Sequence, residues 1–400
     1  MTDRKLRLGV AGLGRAFTLM LPTFASDPRI QLVAGADPRP EARQSFAIDF
    51  SARAYESVEE LCEDPAVEAV YVATPHELHV RYACAAALKG KHVLVEKPMA
   101  LSLNDCRAMI EAARDARVSL IVGHSHSFDG PIQRTREIVN SGTVGRVRMI
   151  TALNFTDFLY RPRRPEELDT ERGGGVIFSQ AAHQIDIVRL IAGGRVKSVR
   201  ASTGSWDIER PTEGAYTAFL TFEDGAFASV VYSGYGHFDS DEFCGWIDEL
   251  GHVKDPRKYG AARQRLRRIS SADEEAALKS SRNYGGAEFV TSRNSVSSLK
   301  PSQHQQFGTV LVSCDRADLR PIPTGVMVYR DFEQQLDALP TPEVPRVEVI
   351  DELYGAVVLS RPPVHSGEWA LATLEVCLAI LQSSREQREI YLVHQAGLPD

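Results

Sequence analysis

Leu8-Gly9-Val10-Ala11-Gly12-Leu13-Gly14-Arg15-Ala16-Phe17 is the stretch from which the fold is read. A short apolar run ends at two glycines one residue apart, and a helix follows. Gly12 permits the tight turn from strand to helix. Gly14 lets the backbone approach a pyrophosphate resting on the first N–H groups of the helix, at Arg15 and Ala16. Phe17 stands where the usual pattern has a third glycine, and Pro22 is placed to kink the helix. Asp37 ends the next apolar run, about twenty residues on, where a carboxylate accepts hydrogen bonds from an adenosine ribose. A free carboxylate there repels a 2′-phosphate, so NAD is the expected cofactor. Arg39, two residues further on, is able to pair with that phosphate and keeps NADP open.

The alternation continues on both sides of this turn. Leu6–Ala11, Gln31–Ala36, Ala69–Ala73, His92–Glu96 and Ser119–Val122 read as short strands buried on both faces. Pro40–Phe50, His76–Lys89 and Ser102–Ala116 read as the helices between them, with Ser102 and Asp105 as a capping box. Strand–helix alternation of this kind implies a parallel sheet with right-handed crossovers. After about residue 128 the strands lengthen: Val147–Phe155, Val196–Trp206, Ala215–Phe222 and Ala226–Tyr235, with Glu223-Asp224-Gly225 as a hairpin turn. The expected class is therefore α/β. A Rossmann dinucleotide-binding domain occupies residues 1–127, and an α+β domain on an open, mostly antiparallel sheet occupies 128–400. Lys254–Pro301 carries seven basic residues up to Arg268 and then a serine-rich stretch; lacking a base-reading motif, it reads as an insertion at about 254–301 with a solvated face.

A chain of 400 residues exceeds one ordinary core, in keeping with two domains. The net charge of −7 argues against nucleic-acid binding. No apolar run reaches membrane-spanning length, and Met1 to Lys5 lead straight into a strand with no signal-peptide pattern, so a cytoplasmic protein is expected. The six cysteines form no C-x-x-C pair and read as reduced thiols.

Two further stretches carry chemistry. Val93-Leu94-Val95-Glu96-Lys97-Pro98 is a strand that delivers a lysine to its carboxyl end. Gly173-Gly174-Gly175 leads into a helix bearing His183 and Asp186. An imidazole takes a hydroxyl proton near neutral pH, so His183 is the candidate general base. Asp186, three residues on, either fixes its tautomer or pairs elsewhere. His124-Ser125-His126 sets two histidines on one side of an extended segment; with no third ligand in view, no metal is expected. Arg161, Arg163 and Arg164 stand among prolines and either pair with Glu166 and Glu167 or form a guanidinium fork for a substrate carboxylate.

With these residues in place, the chain resembles the glucose–fructose oxidoreductase, inositol dehydrogenase and rhizopine catabolism (Gfo/Idh/MocA) family. The matching positions are Gly12-x-Gly14, Thr74-Pro75-His76 with His79, Glu96-Lys97-Pro98, and the triple glycine with His183 and Asp186. The ending, Gly367 through Ser383, also fits. Thr156 through Pro165, the insertion, and Ser313 through Arg316 resemble the phthalate 4,5-cis-dihydrodiol dehydrogenase branch. The resemblance implies cofactor contacts at Thr74, Pro75, His76, His79, Glu96, Lys97 and Pro98. It implies that Lys97 hydrogen-bonds the reacting oxygen and that His126, Tyr160, the three arginines, Ser179 and Asp186 face the substrate. Family members usually carry aspartate where this chain has Ser179, which speaks against a polyol and for an anion. The expected activity is NAD(P)-dependent oxidation of a carboxylated arene cis-dihydrodiol to the catechol. A sugar, sugar-acid or cyclitol dehydrogenase and a non-catalytic cofactor-binding regulator are the rivals. A homo-oligomer, dimer or tetramer, is expected through the uncovered face of the second sheet.

Overall fold

The computed structural model describes residues 4–292 and 301–398. Its first sheet joins β1 (Leu6–Ala11), β2 (Ile30–Ala36), β3 (Arg53–Tyr55), β4 (Ala69–Val72), β5 (His92–Val95) and β6 (Leu120–Val122). All pairs are parallel and the order is β3-β2-β1-β4-β5-β6. The crossovers carry α1 (Arg15–Ser26), α2 (Pro40–Phe50), α3 (Val58–Glu63), α4 (His79–Leu88) and α5 (Leu103–Ala116). Strand order reverses between β1 and β4, which opens a crevice at their carboxyl ends. Gly12 turns there with φ +93°, and a Cβ on it would lie 2.7 Å from the Ala73 carbonyl oxygen, so only glycine fits. The helix α1 runs unbroken through Pro22. Phe17, in place of a third glycine, packs inward against Phe46 and edge-on to Tyr284 at 5.2 Å. Ser102 caps α5 by accepting from the Asp105 N–H (3.1 Å), but the Asp105 carboxylate takes the Ser102 hydroxyl and not its N–H.

The second half begins with α6 (Gly130–Asn140), β7 (Val147–Phe155), a π-helical turn over Ile177–Ala181 and α7 (Ala182–Ala192). It continues with β8 (Val196–Gly204), β9 (Ala215–Phe222) and β10 (Phe227–Ser233). Three short helices follow, α8 (Ala261–Leu266), α9 (Ala272–Ser281) and α10 (Ala287–Ser292). Then come β11 (Thr309–Cys314), β12 (Asp318–Ile322), β13 (Gly325–Tyr329), β14 (Gln334–Ala338), α11 (Val347–Val358), α12 (Gly367–Glu386) and β15 (Ile390–Tyr391). Nine strands form one sheet in the order β14-β13-β12-β11-β7-β10-β9-β8-β15. It is antiparallel except for the parallel pair β7/β10. Residues alternate inward and outward along β9 and β10, and α7 and α12 bury the inner face. Met149, Phe219, Phe227, Leu311 and Leu336 stay more than a third exposed on the outer face. The predicted insertion supplies α8 to α10 within its described part; residues 293–300 lie outside the described residues.

A contiguous cut after residue 127 does not describe this packing. Val349, Ile350, Leu353 and Tyr354 of α11, with Tyr284 and Phe289 from the insertion, are buried in the same cluster as Leu6, Leu8 and Phe24. Each such side chain contributes about 1.5–3 kcal/mol by burial, so the first core is completed by chain more than 150 residues downstream of β6. Strand–helix alternation carries no trace of such a return. No described helix is long and apolar enough to cross a membrane. All six cysteines are free.

Candidate active site

A cleft of about 350 Å³ opens where the carboxyl ends of the first sheet meet the second half. Gly14 is the N-cap of α1 and has no side-chain cap, so the first N–H groups of that helix remain available to an anion. Gly14, Arg15, Ala16, Thr74, Pro75 and His76 line this end of the cleft. Thr74 Oγ1 is buried without a hydrogen-bond partner among the described residues, beside the glycine turn. Burial holds His76 neutral by pulling its pKa down to about 3. The turn, the uncapped helix and the orphan hydroxyl fit a dinucleotide pyrophosphate.

Three of the expected cofactor residues act differently. The Asp37 carboxylate accepts from the Leu13 N–H (2.8 Å) and the Arg39 N–H (2.9 Å), and Arg39 Nε binds it at 2.9 Å. Arg39 spends its other donors on the Leu13 and Tyr284 carbonyls. Asp37 thus sits at the end of β2 as expected, but as one half of a salt bridge. His79 is fully buried, with ring nitrogens 3.0 Å from the Pro98 and Thr74 carbonyl oxygens, so it braces two strand-end loops and stays off the cleft wall. Pro98 is buried behind Lys97 and lies off the cleft wall too.

Lys97 and His183 both line the cleft. The Lys97 ammonium donates to the Ser179 carbonyl at 2.7 Å, and burial lowers its pKa to about 8. The triple glycine packs closely ahead of this turn: a Cβ on Gly175 would fall 2.1 Å from Glu213 Oε1. The Ser179 hydroxyl turns back to the Gly175 carbonyl, so Ser179 positions Lys97 through its own carbonyl and offers the substrate no hydroxyl proton. His183 is buried, and burial, with Lys97 nearby, holds its pKa well below the usual value. The His126 N–H points at His183 Nδ1 (3.4 Å), so the neutral ring keeps its proton on Nε2 and meets a ligand as a donor.

Asp186 does not orient His183. It accepts from Trp369 Nε1 (2.6 Å), Thr373 Oγ1 (2.8 Å) and the Ser127 hydroxyl. The three-residue spacing set both side chains on α7, but Asp186 turns toward α12.

Asp129 joins His124 and His126, at 3.3 and 2.7 Å. Together they form a group able in principle to hold a metal ion, with a third side chain that sequence spacing did not reveal. The carboxylate is engaged as acceptor for both rings, and burial lowers His124 to about 3. With Nδ1 held by Asp129, His126 presents Nε2 as an acceptor, and Phe307 stacks on His126 (4.8 Å) and packs tilted against His183 (4.9 Å).

The expected substrate-facing cluster divides. Tyr160 donates to Asp207 (2.9 Å) beneath Arg263 and lies outside the cleft. Arg161 pairs with Asp157 (3.2 Å) and Glu249 (2.9 Å), and Arg164 with Glu166 (3.1 Å). Arg163 differs. Its guanidinium lies 3.5 Å over the Phe158 ring, donates to the Phe158 carbonyl, and leaves Nε without a partner. It forms no ion pair among the described residues, and burial lowers its pKa to about 10. Glu249 and Arg346 also line the cleft. Burial would raise the pKa of Glu249, but Arg161 holds it low. Neither residue stands in a recognisable motif, so spacing along the chain carries no sign of them.

Comparison with known proteins extends this picture. Residues 6–124 match the model of the Gfo/Idh/MocA oxidoreductase family with an NAD-binding Rossmann fold, and residues 132–244 match a Gfo/Idh/MocA C-terminal domain. The chain is 48% identical over 383 residues to a 1-carboxy-3-chloro-3,4-dihydroxycyclohexa-1,5-diene dehydrogenase of Comamonas testosteroni, covering 96% of each. It is 32% identical over 201 residues to a myo-inositol 2-dehydrogenase of Thermotoga maritima, covering 49% of this chain and 58% of that one. A solved chain from Bordetella bronchiseptica RB50 superposes with a TM-score of 0.91 at 42% identity, covering 97% of this chain and 100% of the other.

Proposed function

Since the chain belongs to the Gfo/Idh/MocA oxidoreductase family, we propose that it is an NAD-dependent dehydrogenase that oxidises a carboxylated cyclohexadiene cis-diol to the catechol. The observation that carries this reading is Arg163, an unpaired guanidinium in the cleft that also holds Lys97 and His183. A substrate carboxylate satisfies it with a charge-assisted hydrogen bond. The Comamonas relative named for a carboxylated dihydroxycyclohexadiene supports the same substrate class.

Bound NAD supplies the hydride acceptor. The chain's own groups orient the donor carbon and handle the hydroxyl protons. His183 Nε2–H donates to the reacting oxygen, Lys97 faces the same oxygen, and His126 Nε2 accepts from the neighbouring hydroxyl. Phe307 walls the ring plane. Loss of one hydrogen pair leaves a hydroxydienone that tautomerises to the aromatic catechol, which makes the net step downhill. NADH formation with a panel of phthalate-type, benzoate-type and uncharged cis-dihydrodiols, sugars and cyclitols tests the reading. Fastest turnover on a carboxylated diol is expected; a sugar or inositol at the head of the panel, or no turnover of any, overturns it. In the same assay NAD should exceed NADP in kcat/KM, because Arg39 has committed its donors to Asp37, Leu13 and Tyr284. A clear NADP preference would show that Arg39 swings out to the phosphate.

The outer face of the nine-stranded sheet supports self-association of this cytoplasmic enzyme. Phe219 and Phe227 pack ring to ring at 5.7 Å there, beside Met149, with no covering element among the described residues. Light scattering at micromolar concentration should report a dimer or tetramer, and Phe219→Asp should shift it toward monomer. A parental monomer refutes the idea.

A further inference from the structure

Lys97 borders two spaces. On one side is the cleft; on the other is a small cavity of about 30 Å³, with Ser125, Phe178, Asp186, Thr373 and Cys377 among its walls. One water needs roughly 10–15 Å³ and two to four polar partners. Three residues with polar groups line this cavity: Lys97, Asp186 and Ser125. Ser125 is 4% exposed, and its Oγ has no hydrogen-bond partner among the described residues. A buried hydroxyl of this kind calls for an unseen partner.

Asp186 leads onward. Its Oδ2 takes the Ser127 hydroxyl, and Ser127 Oγ lies 2.9 Å from His365 Nε2. His365 Nδ1 is 2.8 Å from Glu352 Oε2. Ser127 and His365 are 0% and 1% exposed, whereas the Glu352 side chain, on α11, is 15% exposed and reaches solvent. Burial opposes a proton on His365, but Glu352 more than offsets this and its pKa is raised. A continuous line of donors and acceptors therefore joins the cavity to the surface, away from the cleft. His183 shows no such outlet among the described residues: its Nδ1 faces the His126 N–H, and the residue lines the cleft.

We propose that an ordered water in this cavity links Lys97 to Asp186, and that Asp186, Ser127, His365 and Glu352 carry the substrate's hydroxyl proton from Lys97 to solvent. The inference rests on the dehydrogenase reading. In that reaction the C–H pair leaves as hydride to the nicotinamide, and the O–H pair becomes the second bond of the carbonyl. The freed proton passes to the neutral Lys97 amine. Each later hop breaks one N–H or O–H bond and forms the next: ammonium to water, water to Asp186, Asp186 through the Ser127 hydroxyl to His365, and His365 Nδ1 to Glu352. No electrons move along the chain. Ser127, His365 and Glu352 are positioning and relay residues, none of which lines the cleft.

Two measurements test this. A high-resolution crystal structure of the NAD-loaded enzyme should show a water bonded to Lys97 Nζ, Asp186 and Ser125 Oγ; a dry cavity overturns the proposal. Kinetics on whichever alcohol the parental enzyme oxidises fastest supply the second arm, so failure of dihydrodiols sinks the function reading alone. Ser127→Ala should lower kcat by about 10²-fold, the low end for a positioned proton-transfer group, with KM and NAD affinity unchanged and a larger solvent isotope effect. Ser127→Thr should restore it. His365→Ala should fall likewise and recover on addition of imidazole. Parental kcat and isotope effect in Ser127→Ala, or loss in His365→Ala that imidazole leaves untouched while the variant stays folded, overturns the relay.

Discussion

Lys97→Ala should lower kcat by about 10³-fold or more while NAD affinity stays within a few-fold of parental, as expected when a group acts on the reacting bond and not on the cofactor. Lys97 Nζ is held by one carbonyl, Ser179 O, and removing the side chain leaves the reacting oxygen without the amine that, in its neutral form, accepts its proton. Lys97→Met, which keeps the apolar stem, should lose as much and separates chemistry from packing. His183→Ala should cost less, about 10²-fold, because it removes a donor to the oxygen and not the acceptor. The pH profile carries a sign. Alcohol oxidation needs the neutral amine, and burial lowers Lys97 to about 8. Glu96 and Glu249 push the value up, and Arg163 and Arg346 push it down. The rate should therefore rise with pH and level off above about 8, and the limb should vanish in Lys97→Met. Near-parental kcat in either Lys97 variant would remove Lys97 from the chemistry.

The second large effect concerns charge. Arg163→Ala should raise KM for a carboxylated diol by about tenfold or more, since a charge-assisted contact is worth about 1.5–3 kcal/mol, and should leave an uncharged diol unaffected. Arg164→Ala should do little, because Arg164 already pairs with Glu166. Arg161→Ala should also weaken the acid, by a different route: it uncovers Glu249, whose charge then faces the anion across the cleft. Glu249→Gln added to Arg161→Ala should restore the acid's KM. Steady-state kinetics on matched acid and uncharged substrates decide among these. An unchanged KM for the acid in Arg163→Ala removes the main physical support for an anionic substrate.

Residues whose role depends on local chain were legible in the sequence. Gly12, Gly14, Lys97 and the triple glycine sit at element ends that strand and helix periodicity places. Residues whose role depends on distant partners were not. Asp186 lies three residues from His183, but the partners that claim its carboxylate are Trp369, Thr373 and Ser127, on other elements. Three arginines within four positions looked alike; ion pairs to Asp157 and to Glu249, the latter nearly 90 residues away, distinguish Arg161 from Arg163. Tyr160 is drawn out of the cleft by Asp207 and Arg263 in the same way. Tertiary partners decide side-chain direction, and spacing along one strand or helix does not encode them.

The late return of α11 bears on how this chain is made. By the time β6 leaves the ribosome the cofactor-binding sheet has all six strands, but the surface that Val349, Ile350 and Leu353 will cover is still bare. At roughly 5–20 residues per second that apolar surface waits on the order of ten seconds or more for its cover to be translated. The nascent half-molecule is therefore a natural client for chaperones that shield hydrophobic surface. For the same reason an excised N-terminal fragment, cut where its last strand ends, would be an aggregation-prone piece and not a small autonomous module.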